Sequence, residues 1–258
     1  MRLSLLLFFI IHTLLNAEDS KLEIGVGIGS MYYPDYIGSK SSSVVTLPFP
    51  YVKYTSEYFN IDKDGINREL FNIKDLTLDL SVSGSLPANA DDNKAREGMD
   101  DLNFTFEVGP KLNYILYTKK SFEISLDVAI RAAFETDLSM VKAQGLRGTT
   151  DLRFDIEYQK LDITFRTGLR FSDAKYNNYF YGVDKEFETP LRATYDASSG
   201  YSGFKNRLGC TYRDGDWWYG ALISYYLLDG ASYEDSPLVE TNHALFGGVS
   251  LAYIFYTD

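Results

Sequence analysis

The sequence predicts an all-β fold: an antiparallel up-and-down transmembrane β-barrel of about twelve strands, with ten as the alternative count. Three observations predict it. Apolar and polar residues alternate with period two, which places them on opposite faces of a strand. The alternating runs extend over about 10–14 residues, beyond the usual five or six of soluble domains and close to what a tilted membrane-crossing strand needs. The N-terminus has the pattern of an export signal.

That pattern is Met1-Arg2, an apolar run from Leu3 to Leu15, then Asn16-Ala17. One positive charge, a short apolar core and a small residue make a signal peptide over residues 1–17, with cleavage after Ala17. Residues 18–258 then form one outer-membrane barrel domain. The apolar run is shorter than the roughly 20 residues of a spanning helix, and no other stretch comes close.

Along the rest of the chain, Leu22, Ile24, Val26 and Ile28 alternate with Glu23, Gly25, Gly27 and Gly29. Strands follow near 43–54 and 58–66, where Pro48 and Pro50 suggest a bulge or strand end because proline cannot donate to a ladder. If 43–66 were one bent strand plus a loop, the count would be ten. Leu76, Leu78, Leu80 and Val82 oppose Thr77, Asp79, Ser81 and Ser83, and a further strand lies near 103–117. The clearest run is Phe122 to Glu135, with Ile124, Leu126, Val128 and Ile130 against Ser125, Asp127, Ala129 and Arg131. Leu152, Phe154, Ile156 and Tyr158 oppose Asp151, Arg153, Asp155 and Glu157; a tight Gln159-Lys160 connection leads to Leu161, Ile163 and Phe165 against Asp162, Thr164 and Arg166. The remaining strands are expected near 177–185, 200–213, 216–228 and 244–256. An even count places both termini on the periplasmic side.

Asp127, Arg131, Asp155, Arg166 and Arg170 fall on the polar face. They would be costly in an apolar core, so they are expected to line a wet lumen. Tyr32, Tyr33 and Tyr36; Tyr51 and Tyr54; Tyr114 and Tyr117; Tyr176, Tyr179 and Tyr181; and Trp217, Trp218 and Tyr219 sit near strand ends, as interfacial girdles do. The last strand has Gly248, Leu251 and Tyr253 spaced like the C-terminal assembly signal of outer-membrane proteins, but runs on to Tyr256-Thr257-Asp258.

The chain's net charge of −11 makes it a poor non-specific partner for nucleic acid. Its lone Cys210 forms no internal disulfide and suits a small apolar strand position. His12 leaves with the signal, so a Ser-His-acid triad would depend on His243, which has no nucleophile motif beside it. The pairs Asp91-Asp92, Asp100-Asp101 and Glu234-Asp235 are the pattern of solvated loop acids. Asp62-Lys63-Asp64-Gly65 lacks the spaced ligands of a calcium loop. Gly25-Val26-Gly27-Ile28-Gly29 lies in a strand with no following helix, where glycine permits curvature or close approach. No enzyme activity, metal or cofactor is expected.

The segment from Ala88 to Leu102 is dense in charge. Strand counting puts it on the periplasmic side, where Asp92, Asn93, Arg96 and Glu97 would form a docking surface for a partner. The alternative is a charged turn that orders itself through Arg96 and neighbouring acids.

Several segments resemble the MipA/OmpV family, the MltA-interacting proteins of Gram-negative outer membranes. They are Tyr33-Pro34-Asp35-Tyr36-Ile37-Gly38-Ser39, Leu47-Pro48-Phe49-Pro50-Tyr51-Val52, and Ser83-Gly84-Ser85-Leu86-Pro87 running through Asp92–Met99 to Phe106-Glu107-Val108-Gly109-Pro110. Tyr179-Phe180-Tyr181-Gly182-Val183 and Asp235-Ser236-Pro237-Leu238-Val239 complete the ordered set. The resemblance implies a barrel in the cell outer membrane, in contact with its lipid. It further implies a scaffold that brings a lytic murein transglycosylase together with a bifunctional peptidoglycan synthase; other members are described through adhesion, antigenicity or antibiotic response. The alternative functions are a small-solute channel, whose lumen charges would set ion preference, and an outer-membrane hydrolase.

Overall fold

The computed structural model describes residues 21–56, 59–62 and 65–258. The signal peptide expected over residues 1–17 lies outside them, as do Lys63 and Asp64 of the calcium-loop echo. The strands are β1 (Lys21–Pro34), β2 (Ser42–Thr55), β3 (Phe59–Asp62), β4 (Gly65–Ile73), β5 (Leu76–Ser85), β6 (Phe104–Lys119), β7 (Phe122–Thr136), β8 (Val141–Tyr158), β9 (Leu161–Ser172), β10 (Gly200–Asp214), β11 (Trp217–Leu227) and β12 (His243–Thr257). Among the described residues one α-helix, α1 (Ala174–Tyr181), interrupts them. Each strand pairs antiparallel with its chain neighbour, and β1 pairs with both β2 and β12, so the sheet closes into a barrel.

Alternation sets the two faces. Val26, Ile28, Val128, Ile130, Phe165, Leu169, Ile223 and Val249 stay exposed on the outside, where lipid takes the place of a protein core. Aromatic rings mark both rims of this band: Tyr114, Tyr117, Tyr158, Trp217, Tyr219 and Tyr253 at one end, and Tyr32, Phe104, Phe171 and Tyr225 at the other. Several of the rings expected in these girdles are buried instead. Tyr36 and Tyr181 are buried in a cluster built from loops, and Tyr51 packs against Trp218 inside the barrel with ring centroids 5.4 Å apart.

The two ends differ sharply. At the end shared with the termini, two-residue turns join β4–β5, β6–β7, β8–β9 and β10–β11. Their first residues, Lys74, Lys120, Gln159 and Gly215, take left-handed φ values of 53°, 51°, 57° and 59°. Such mirrored turns follow the twist of paired strands. The far end carries the long connections 35–41, 86–103, 173–199 and 228–242.

Twelve strands are present among the described residues, but not the twelve expected. The single strand expected near 58–66 is a hairpin of β3 and β4. The strand expected near 177–185 is α1 and the turn after it. Asp173 caps α1, its Oδ1 accepting from the Tyr176 N–H at 2.8 Å, and the Gly182 N–H closes it on the Asn178 carbonyl. One added crossing before residue 86 reverses the side of the Ala88–Leu102 segment. It lies at the end opposite the termini, not at the end shared with them on which its expected periplasmic placement depended.

Strand β8 also begins ten residues before the alternation that signals it. A bulge between Ala133 and Phe134 of β7 and Gly145 of β8 bends it there. Gly145 has φ +107°, and a Cβ on it would crowd the Asp173 carboxylate and the Tyr176 backbone nitrogen, so glycine leaves room for the start of α1.

β2 runs unbroken past Pro48 and Pro50, keeping register with β1 from Ser42 to Thr55. No bulge forms at the prolines. On its other side, among the described residues, β2 pairs only through Tyr54 and Thr55, with Ile61 and Asn60 of the short hairpin. From Ser42 to Pro50 that edge has no paired strand, and an edge strand tolerates proline.

Candidate functional site: a two-sided lumen beneath a folded cap

The inner wall has two chemically distinct sides. On β5 to β10 it is charged. Asp127, Arg131, Asp155, Arg166 and Arg170 all face inward, and register brings further charges beside them. Arg153, Arg166 and Arg207 form one row across β8, β9 and β10. Arg131 lies opposite Arg147, and Asp127 opposite Asp151.

Most of these groups are held by wall partners. Arg170 Nη2 donates to Asp151 Oδ1 at 2.7 Å. Arg153 pairs with Asp155, whose Oδ1 also accepts from Thr164 at 2.7 Å. Asn113 donates to Asp127 at 2.7 Å, and Arg131 Nε to Ser81 Oγ at 2.8 Å. Lys111 pairs with Asp79 at 3.3 Å. Paired charges avoid the cost of an isolated ion beside protein walls.

Around the middle of β1, β2, β11 and β12 the inner wall is mostly apolar and carries no charged side chain. Two rows show why. Gly209, Leu222, Gly248, Met31 and Val45 lie side by side, and Thr211, Gly220, Ser250, Gly29 and Leu47 form the next row. Glycines leave space, and Leu47, Phe49 and Trp218 border it. The result is a cavity of about 380 Å³. A second cavity of about 440 Å³ lies towards the long loops. Met31, Leu222, Arg166 and Arg207 line both, so the cavities meet there.

The long loops roof the second cavity. Tyr36, Leu102, Phe180, Tyr181, Val183, Leu228, Tyr233 and Leu238 form the larger of the buried apolar clusters. Tyr181 stacks on Tyr233 with ring centroids 3.7 Å apart. Hydrogen bonds tie loop to loop: Tyr36 Oη to the Leu238 carbonyl at 2.7 Å, Tyr181 Oη to Ile37 at 2.9 Å, and Ser236 Oγ to Tyr181 at 2.7 Å. The hydroxyl of Tyr176 reaches from α1 into the lumen, donating to Glu107 Oε1 at 3.2 Å, and Arg147 Nη1 donates to the same carboxylate at 3.0 Å. Burial drives the Tyr36 and Tyr181 hydroxyls well above the ordinary tyrosine range. It pushes Tyr233 up to about 12.

The four residues expected to dock a partner divide within this cap. Asn93 and Arg96 are buried. Asn93 Nδ2 donates to Asp35 at 2.8 Å and Ser39 at 3.0 Å. Arg96 donates to the carbonyls of Phe180 and Asp100 at 3.0 and 3.1 Å. Arg192 grips the same segment from the 173–199 connection through the Ala95 and Glu97 carbonyls. Asp92 and Glu97 remain exposed. The self-ordering turn weighed from sequence therefore describes Arg96, although its partners are carbonyls of two loops rather than side-chain acids.

The other sequence candidates take structural places. Asp101 accepts from the Ala90 N–H at 2.7 Å, and Glu234 from the Gly230 N–H. His243 sits on the rim with Nδ1 2.7 Å from the Tyr225 hydroxyl. Cys210 pairs in register with Ala221. Among the described residues no group of three His, Cys, Asp or Glu side chains is placed to hold a metal.

A family model described as MltA-interacting protein MipA matches residues 26–255. Outer membrane protein OmpV of Vibrio cholerae is 26% identical over 208 residues, covering 78% of this chain and 76% of the relative. Outer membrane protein Omp26La of Vibrio anguillarum is 25% identical over 209 residues, with the same coverage. Among solved structures, an outer membrane channel from Pseudomonas putida F1 is similar over 93% of this chain and 97% of that one, at 10% identity and a TM-score of 0.47. The translocator domain of the autotransporter NalP from Neisseria meningitidis covers 98% and 95%, at 12% identity and a TM-score of 0.39.

Proposed function

We propose that this chain, which belongs to the MltA-interacting protein MipA family, is a non-enzymatic outer-membrane anchor for peptidoglycan-remodelling enzymes. Its partners would be a lytic murein transglycosylase and, through it, a bifunctional peptidoglycan synthase. The family match over residues 26–255 carries this reading.

The short turns at the end shared with the termini support a docking place there. Bacterial barrels turn their short connections to the periplasm and their long ones outward. A periplasmic enzyme would then meet the turns around Lys74, Lys120, Lys160 and Asp214, not the cap that holds Asp92, Asn93, Arg96 and Glu97. Capture of a purified murein transglycosylase by the barrel in nanodiscs tests this. Charge reversal at Lys120 and Lys160 should weaken capture, while Asp92→Lys with Glu97→Lys should leave it unchanged. The opposite pattern would return docking to the cap, and failure of the unaltered barrel to capture any such enzyme would reject the anchor reading. The cavities that meet at Arg166 and Arg207 favour a second reading, a small-solute channel, which requires conductance in planar bilayers.

A further inference from the structure

The apolar side of the lumen is unexplained by anchoring. Inside a barrel whose opposite wall is charged, Leu47 is 57% exposed although it points inward. Unpacked apolar surface beside water is unfavourable and marks a place where something binds. Here the surface is concave and about 380 Å³ in volume, within the range of small-ligand sites. The space exists because the wall strands carry glycine. A Cβ on Gly209 would have only the Ala221 carbonyl oxygen nearby, at 3.9 Å, so a larger side chain would fit and fill the cavity.

Two features specify the ligand. Arg166 and Arg207, neighbours across β9 and β10, line the same cavity as Leu47, Phe49 and Leu222. Permanent cations facing an apolar wall match a molecule with an anionic head and a hydrocarbon tail. The apolar wall also ends at the edge of β2 that has no paired strand from Ser42 to Pro50 among the described residues. In an outer-membrane barrel such an edge would face the bilayer, where such molecules dissolve.

We propose that this cavity binds a single-chain anionic amphiphile of the fatty-acid class, with its head on Arg166 and Arg207 and its tail on the wall of Leu47, Phe49 and Leu222. The ligand reaches the site from the bilayer past the edge of β2 with which no other described residue pairs from Ser42 to Pro50. This inference is independent of the anchor reading.

The two tryptophans make a direct test. Trp218 borders the cavity, whereas Trp217 faces outward. In a Trp217→Phe background, the full-length barrel in phosphatidylcholine nanodiscs is titrated with ω-bromododecanoate, whose bromine quenches nearby indole. The expected result is saturable quenching of Trp218, with the neutral ω-bromododecanol needing at least about tenfold more probe, a difference of about 1.4 kcal/mol. Gly209→Leu and the double variant Arg166→Gln/Arg207→Gln should each remove the saturable phase while keeping the heat-modifiable gel mobility of a folded barrel. Quenching that rises without saturation, that is equal for acid and alcohol, or that survives Gly209→Leu would overturn the proposal. Enzyme capture is not part of this assay, so its outcome and that of the anchor reading separate.

Discussion

Arg96 illustrates how one side chain decides whether a charged loop is a surface or a core. It is 4% exposed, lies 5.9 Å from the Tyr36 ring centroid, and gives its guanidinium to the carbonyls of Phe180 and Asp100. Burial lowers its affinity for a proton, but the carbonyls and the aromatic face hold the cation in place. Arg96→Met would keep the length and leave the Phe180 carbonyl without this donor in a buried site. A loss on the order of 1–3 kcal/mol follows, confined to the cap. Limited proteolysis should then cut the 86–103 segment faster, with the barrel's gel mobility unchanged. Equal protection in the variant would mean that Arg96 does not hold the loops together. From sequence, Arg96 was legible as charged and locally engaged. Its burial was not, because the Phe180 carbonyl that receives it lies 84 positions away in the chain.

At the scale of elements, the strands that were easiest to see are those wetted by two different solvents. Phe122 to Glu135 alternates without a break because lipid and lumen each select every second residue. The N-terminal part of β8 is harder to see, because Ala143, Gly145, Gly148, Thr149 and Thr150 blur the contrast around the bulge. The helix α1 occupies most of the stretch where a strand is expected near 177–185, a stretch without clean period-two alternation. The N-cap Asp173 was the overlooked signal, with Tyr176, Tyr179 and Phe180 at helical spacing beyond it. The cap as a unit could not be foreseen, since it joins four connections that are distant in sequence. The ordered segments that carried the family resemblance nevertheless converge on it, in Tyr36, Asn93, Arg96, Tyr181 and Leu238.

The cap also has its own pH limit. A buried tyrosine whose folded pKa exceeds its unfolded value of about 10 contributes stability that is complete below that pH and is lost as pH rises through the folded value. For Tyr233 that window runs from about 10 to about 12. Alkaline titration should therefore show a tyrosinate class that ionises late and together with proteolytic opening of the cap. Ionisation of every tyrosine near pH 10, with the cap still protected, would contradict the buried, neutral arrangement.

For the whole molecule, the consequence is a division of labour between a wall and a lid. Lipid outside and a paired-charge lumen inside fix the wall, while most of the conventional hydrophobic core lies in the loops above it. Asp127, Arg131, Asp155, Arg166 and Arg170 were legible as inward-facing because their strands alternate cleanly. Glu107, Arg147 and Arg207 were not singled out, since their neighbours follow no equally regular pattern. The charge pairs fix much of the lumen wall, and the glycine-lined side leaves an apolar cavity beside the charged one beneath the cap.

The claim beneath all of this is that alternate residues of each strand meet hydrocarbon. With Cys210 replaced by alanine, nitroxide labels placed singly from Leu126 to Arg131 on β7 measure it in membranes. The account predicts that collisions with dissolved oxygen peak at Leu126, Val128 and Ile130 and fall at Asp127, Ala129 and Arg131, with a water-soluble nickel complex showing the reverse order. Accessibility without a two-residue period, or equal nickel access at every position, would contradict it.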